Sequence, residues 1–186
     1  QVRAMRRFSG SCRFVYNKAL AVQKENHEAG NKFIGYVAMA AKLPVWKREA
    51  GTEWLKETPS QALQHALKDL DKAFKGFFEK RSGFPRFKKK GSGDSFRYPE
   101  PKQIQLDQSH NRILLPKLGW LRYRNSREAL GQVRNVTVSH SGGKWFIAIQ
   151  TQREREQPLP TSTTAIGIDV GIARFATLSD GNYVAP

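Results

Sequence analysis

Residues 58–78 carry apolar side chains at steps of three and four, the spacing that places them on one face of an α-helix. Thr58 is predicted to be the N-cap of this helix, Pro59 its first residue, and Gln61 the partner that completes a capping box. A stripe this long must be buried, so the chain needs a second apolar surface to cover it. The stripe consists of Leu63, Ala66, Leu67, Leu70, Ala73, Phe74, Phe77 and Phe78.

A second amphipathic helix is predicted over residues 1–28, with a stop signal at Gly30 and Asn31. Its apolar face comprises Met5, Phe8, Cys12, Val15, Tyr16, Ala19 and Leu20. The first half is rich in arginine and contains no acid, which suits either phosphate binding or an ordinary solvated surface. A short helical stretch over residues 34–43 is predicted to end at Pro44.

After Pro99 the apolar period changes from three or four residues to two. This pattern predicts four or five short antiparallel strands, and the glycines of the segment 141–143 indicate a hairpin between the last two. We expect the strands to form a small barrel, which makes the fold class α+β. Residues 152–164 are predicted to be a linker. The strands fall at Ile104–Leu106, Ile113–Leu115, Leu118–Tyr123, Val133–Val138 and Trp145–Ile149.

The charge balance indicates a polyanionic partner. The chain has 32 Lys and Arg against 16 Asp and Glu, a net charge of +16. Each cation placed on a phosphate releases condensed counterions, so nucleic acid is the first candidate and an anionic membrane the second. No apolar run is long enough for a spanning helix and no signal peptide opens the chain, so we expect no membrane partner and a cytoplasmic, nucleoid-associated protein. The single cysteine, Cys12, excludes an internal disulfide and a four-cysteine zinc site.

Two surfaces are candidates for nucleic-acid binding. The polar face of the helix over 58–78 carries amides that can read bases and lysines that can hold phosphates, although such residues are also ordinary on exposed helices. In residues 80–97 basic side chains alternate with Phe84, Phe87 and Phe96, followed by Tyr98. Their rings offer stacking faces to bases, or they pack back into a core.

Residues 165–171 read as a buried strand that carries Asp169, and a second strand, an Asp-Gly turn and a third strand follow. This order is how an RNase H-like sheet opens, and there the carboxylate ligates a divalent metal. Two alternatives are a phosphate-gripping hairpin of actin-like ATPases, which Ile172 and Ala173 disfavour, and an aspartate that simply leads into a glycine turn.

Six motifs, taken in the order in which they occur along the chain, resemble the TnpB (OrfB) family of insertion sequences, relatives of the type V CRISPR nucleases. The resemblance covers nearly the whole chain. It implies an RNA-guided DNA endonuclease with a helical recognition domain over 1–82, a wedge β-barrel over 83–160, and the start of a RuvC nuclease domain over 161–186. The motifs are Arg13–Asn17, Thr58–Leu63, Gly83–Lys88, Ser95–Tyr98, Leu115–Trp120 and Gly167–Gly171.

The resemblance also implies partners and site residues. Tyr36, Ser60, Gln61 and Gln64 match positions that contact the target-adjacent DNA duplex, and Asp169 matches the first catalytic and metal-binding carboxylate of RuvC. Guide RNA and double-stranded target DNA are the expected partners. Our candidates for contacts to the backbone of the RNA and the heteroduplex are Arg86, Lys88, Lys89, Lys90, Arg97, Lys117, Arg122 and Arg124.

The family's other catalytic Glu and Asp, which complete an Mg²⁺ site, and its four-cysteine zinc finger match nothing up to Pro186. We therefore treat the sequence as a piece of a longer protein and expect the isolated chain to bind nucleic acid without cutting it. A nuclease-dead RNA-guided DNA binder, acting as a repressor or transposition accessory, is an alternative. A helix-turn-helix transposase that reads DNA without RNA is a third reading, disfavoured by the RNase H-like opening.

Overall fold

The computed structural model describes residues 1–154 and 165–185. It divides into two compact units, Gln1–Arg153 and Glu154–Pro186, which are described separately. Most of the predicted linker 152–164, and the first residues of the predicted RuvC segment 161–186, lie outside the described residues.

The first unit begins with helices. The long first helix confirms the periodicity of residues 1–28, and it stops where Gly30 takes a φ of +74°. The prediction that a helix ends at Pro44 is wrong: Pro44 lies in the first turn of the next helix, where its missing N–H costs nothing. The helices are α1 (Val2–Glu28), α2 (Tyr36–Ala40), α3 (Leu43–Trp46) and α4 (Ser60–Phe78), with 3₁₀ turns at Glu53–Glu57 and Pro101–Gln103.

The start of α4 differs from the predicted capping box. Pro59 is the N-cap, and within the described residues no side chain caps this end. Thr58 is fully buried, and its hydroxyl donates a hydrogen bond of 2.7 Å to Oγ of Ser11 on α1. The predicted capping box is wrong because the Thr58 hydroxyl bonds to Ser11 on α1 and does not cap the N-terminus of α4.

In residues 1–154, six strands form two antiparallel sheets of three strands each, in the orders β1-β5-β6 and β2-β3-β4. The strands predicted after Pro99 are confirmed. The remaining strand, β1, lies in the segment that was predicted only as basic and aromatic. The strands are β1 (Ser95–Tyr98), β2 (Gln105–Asp107), β3 (Arg112–Leu115), β4 (Gly119–Arg122), β5 (Gln132–Ser141) and β6 (Lys144–Gln152).

The predicted barrel is wrong for the described residues, because neither sheet closes. Closure needs every strand to pair on both sides. Here β2, β3 and β4 are three or four residues long and pair only with one another, while β1 and β6 each pair only with β5. The sheets therefore stay open.

Helices and strands share one core. The ring of Phe8 on α1 meets the ring of Phe96 on β1 edge to face, with 5.6 Å between centroids. Phe96 and Tyr98 are only 3% and 1% exposed. These two aromatic side chains pack into the core, which excludes them as stacking surfaces for bases.

Within residues 165–185, the second unit contains three short antiparallel strands in chain order, β7 (Ile168–Asp169), β8 (Ala176–Leu178) and β9 (Tyr183–Val184). Asp169 lies opposite Thr177. The strand order agrees with the predicted opening of the segment, and a RuvC-like fold remains a prediction. The predicted buried strand over 165–171 is wrong in length and burial, because β7 has only two residues and the side chains of Ile166, Ile168 and Val170 are exposed. The α+β class itself is confirmed. None of the helices within residues 1–154 and 165–185 has the length and apolar character to cross a membrane.

Candidate nucleic-acid interface

The exposed side of α4 carries Ser60, Gln64 and Lys68 in one stripe, with the half-buried Gln61 beside it. The three exposed residues are four apart, so they lie above one another on the helix surface. At 1.5 Å per residue the stripe is about 12 Å long. The buried side of α4 faces the core, which holds this polar side toward solvent.

Tyr36 lies beside the same stripe although it belongs to α2. Its backbone N–H donates a hydrogen bond of 3.2 Å to Oδ1 of Asp71, and its ring is 5.3 Å from Nζ of Lys68. Lys68 follows Gln64 by one helical turn. Residue 36 is thus brought to the same surface as residues 60, 61 and 64, from which it is distant in sequence.

Two lysines flank the beginning of α4. Nζ of Lys47 donates a 2.7 Å hydrogen bond to Oγ of Ser60, and Nζ of Lys117 donates a 2.7 Å bond to the carbonyl of Lys56. Burial, and then the charge of Lys117, lower the pKa of Lys47. A helix N-terminus attracts anions, and these ammonium groups strengthen that attraction. Sequence reasoning missed Lys47, because no spacing links it to residue 60.

The basic segment 83–90 runs in extended form along α1. The side chain of Asn17 accepts from the N–H of Lys88 at 2.8 Å and donates to its carbonyl at 3.0 Å. The Lys88 ammonium lies 4.3 Å from the ring of Tyr16. Phe84 packs edge to face on Phe77 but is still 43% exposed, and Phe87 is 47% exposed. Arg86, Lys89 and Lys90 are exposed as well.

Arg97 lies where β1 approaches α4. Its Nε donates to Oγ1 of Thr137 at 2.9 Å, and one terminal nitrogen is 3.4 Å from Nε2 of His65. Nδ1 of His65 is 3.4 Å from a carboxylate oxygen of Asp69. Burial alone would raise the pKa of Asp69, but the hydrogen bond from His65 and the charges of His65, Lys88 and Arg97 lower it overall.

We expect Asp69 to stabilise the fold above its usual pKa near 3.8 and to lose this contribution as the pH falls through its lowered folded-state value. Urea midpoints of the wild type and Asp69→Asn should therefore differ more at neutral pH than at acid pH. In His65→Gln the same pH-dependent difference should shrink, because the principal attractive partner is gone. A difference that grows toward acid pH would contradict the assignment.

The remaining candidates lie elsewhere. Arg122 is the last residue of β4 and Arg124 follows it, both exposed. The neighbouring Arg112 pairs with Asp107 through a 2.7 Å contact and lies over the ring of Trp120. The eight RNA-contact candidates thus occupy three places: the extended segment with β1, the start of α4, and the end of β4.

Asp169 is exposed on β7 of the second unit. In the part of the chain that the structure describes, no three His, Cys, Asp or Glu side chains come together as a metal site would require. One carboxylate suits Mg²⁺ as a ligand but does not make a two-metal site by itself.

Part of the chain matches a model of a known protein family. Residues 1–32 match the family model HTH_OrfB_IS605, described as "Helix-turn-helix domain". In the structure this stretch consists of α1 and the turn after it.

Three relatives bear on the family. The chain is 58% identical to "Putative RNA-guided DNA endonuclease InsQ" of Escherichia coli K12, over 98% of this chain and 45% of that protein. It is 32% identical to a "Putative RNA-guided DNA endonuclease" of Streptomyces pristinaespiralis, over 99% of this chain and 46% of that protein. A third, "Virulence protein VsdF" of Salmonella dublin, is 33% identical over 44% of this chain and 76% of its own length.

The chain thus spans about half the length of the two endonuclease-named relatives. The match to the OrfB model and the near-complete coverage of this chain agree with the motifs from Arg13 to Gly171. The chain belongs to the TnpB (OrfB) family.

Proposed function

We propose that this chain is the recognition and wedge portion of an RNA-guided DNA endonuclease, and that it binds both a guide RNA and the DNA duplex beside the target. The names of the two relatives that match nearly all of the chain support the activity of the whole protein. The net charge of +16 supports a nucleic-acid partner for this portion.

The observation that carries the proposal is the polar stripe of α4. A glutamine side chain such as that of Gln64 can make a bidentate contact with an adenine edge in the major groove. Tyr36 lies at one end of the stripe, and the ammonium group of Lys47 lies at the other, where it can hold a phosphate. A surface of this length reads only a few base pairs, which suits a protein that leaves most of the target sequence to pairing with the guide.

For Asp169 we propose the role of first metal-binding carboxylate of a RuvC-type site. Mg²⁺ would there support phosphodiester cleavage, and the parent protein would also carry a zinc finger. The described residues do not form such a site alone, so the activity proposed for this chain is binding. An active nuclease and a nuclease-dead binder would both bind DNA in a guide-dependent way.

Gln64→Ala is expected to relax sequence preference at one base pair and to weaken binding to the preferred duplex about tenfold, the usual cost of one bidentate base contact. The chain, purified with co-expressed RNA, would be challenged with duplexes that carry a randomised block, and bound duplexes would be sequenced. Physiological salt and competitor DNA suppress nonspecific binding. Gln105→Ala, which removes an exposed glutamine in β2, is the matched control and should leave the preference unchanged.

RNase treatment before the selection distinguishes RNA-guided binding from recognition of DNA by the protein alone. If enrichment disappears, RNA is required, as we propose. If enrichment persists without RNA, the protein alone reads DNA in the manner of a helix-turn-helix transposase. If Gln64→Ala and Gln105→Ala select the same motif as the wild type, the stripe on α4 is not the reading surface.

A further inference from the structure

The sheet β1-β5-β6 has one face in the core and one in solvent. Its register pairs Arg97 with Thr137, Ser139 with Phe146, and Thr137 with Ala148. Directly opposed residues point to the same side of a sheet. The outer face therefore carries Ser95, Arg97, Asn135, Thr137, Ser139, Ser141, Lys144, Phe146, Ala148 and Gln150, while Phe96, Tyr98, Val136, Val138, Ile147 and Ile149 point inward.

Phe146 is the one aromatic side chain on this outer face. It is 51% exposed and stands beside Ser139, away from the core. The other nine residues are an arginine, a lysine, an alanine and hydroxyl or amide side chains, and none is acidic. The exposed ring offers a flat apolar face, and the surface around it is polar and has no acidic side chain. In a strongly cationic protein, this combination suits a ligand that has flat rings as well as polar and negatively charged groups.

A groove of about 490 Å³ lies along this face. Its lining contains Ser95, Thr137, Ser139 and Ser141 of the sheet, His140, the glycines Gly91 and Gly93 and the turn glycines Gly142 and Gly143, while Phe146 and Arg97 lie outside it. All four glycines have positive φ, and a Cβ added to any of them would meet no atom within 4 Å. The four glycines therefore add no side chain to the groove.

We propose that this outer face binds an unpaired segment of RNA, with a base stacked on Phe146 and the guanidinium of Arg97 directed to a phosphate. Stacking on an aromatic ring accepts any base, because every base has a π-face. The hydroxyl and amide groups around the ring are suited to the 2′-hydroxyl, which distinguishes RNA from DNA. This face differs from the stripe on α4, and Arg97 at its edge approaches His65 of that helix. The proposal rests on the proposed function in that it needs an RNA partner.

The test uses the 186-residue chain and a short oligouridine that contains 2-aminopurine. Phe146→Ala and Phe146→Leu are expected to weaken RNA binding about tenfold and to reduce the quenching of 2-aminopurine, while Phe146→Trp retains both. Phe78→Ala, which removes a ring of similar exposure at the end of α4, is the matched control and should bind as the wild type does. Arg97→Ala should lower the slope of log affinity against log salt by about 1, whereas Phe146→Ala should leave the slope unchanged.

Several results would overturn the proposal. Equal RNA affinity of the wild type and Phe146→Ala would exclude stacking on this ring, and an equal loss for the DNA oligonucleotide of the same sequence would exclude RNA as the specific occupant. Loss of a wild-type dimer in Phe146→Ala would identify a second copy of the chain as the occupant. Duplex selection through Gln64 is measured independently, so the sheet face can fail while the proposed function stands. Failure of the wild type to bind any RNA would refute both.

Discussion

Replacing Leu63 with alanine is expected to lower the free energy of unfolding by about 3 to 5 kcal/mol, the largest effect on stability that we predict for a single side chain. Leu63 is completely buried on α4, in the core where this helix packs against α1. The substitution removes three carbon atoms from water-free surroundings and leaves a cavity that the rigid helix pair cannot close fully. Urea unfolding followed by circular dichroism measures the change.

Lys72→Ala is the control for this experiment. Lys72 is exposed on the same helix, and alanine is at least as good a helix former, so we expect a change within about 0.5 kcal/mol. A loss below about 1 kcal/mol for Leu63→Ala would mean that α4 does not pack on α1 in solution as described.

The second large effect concerns the Cys12 thiol. It is 6% exposed, its Sγ lies 3.5 Å from the carbonyl oxygen of Ala62, and burial raises its pKa to about 12. Only the thiolate reacts with disulfide reagents. At pH 8 its thiolate fraction is about one in ten thousand, against about one quarter for a free cysteine. Ellman's reagent should therefore modify the folded protein at least about a thousandfold more slowly than the guanidinium-unfolded protein.

Leu63→Ala provides an internal check on this measurement. Because Ala62 covers the thiol and Leu63 follows it, weakening the helix pair should raise the rate of Cys12 modification under native conditions. Lys72→Ala should leave the rate unchanged. Reaction of the folded wild type at the rate of a free cysteine would show that α1 and α4 are not closed over the thiol.

Sequence periodicity predicted the elements that depend on burial along one face. The stripes from Met5 to Leu20 and from Leu63 to Phe77 lie on the packed sides of α1 and α4, because burial along one helix face requires this spacing. The prediction is wrong for the last residue of the second stripe, Phe78, which is 56% exposed. Alternation likewise located β5 and β6 around the turn at Gly142. These are local properties, and the sequence contains all the information they need.

Features that depend on distant partners could not be read in this way. The Thr58 hydroxyl had two possible uses, a local cap and a bond to Ser11, and only the packed core shows which one is made. The predicted barrel is wrong because closure depends on which strands pair with each other, and the periodicity of a single strand does not identify its partners. Lys47 reaches the start of α4 through a chain reversal with no periodic signal. The placement of Tyr36 beside α4 was expected from the family motifs alone.

The packing of Phe8 against Phe96 also bears on how genes of this kind can recombine. A crossover near residue 82 would join the helices of one parent to the strands of another. Phe8 and Phe96 would then come from different parents, whose packing surfaces had diverged separately, and the two surfaces would have to fit each other. A crossover after Gln152, where β6 ends, would leave that shared core with a single parent. Recombination should therefore transfer the helices and both sheets together, as one inherited block.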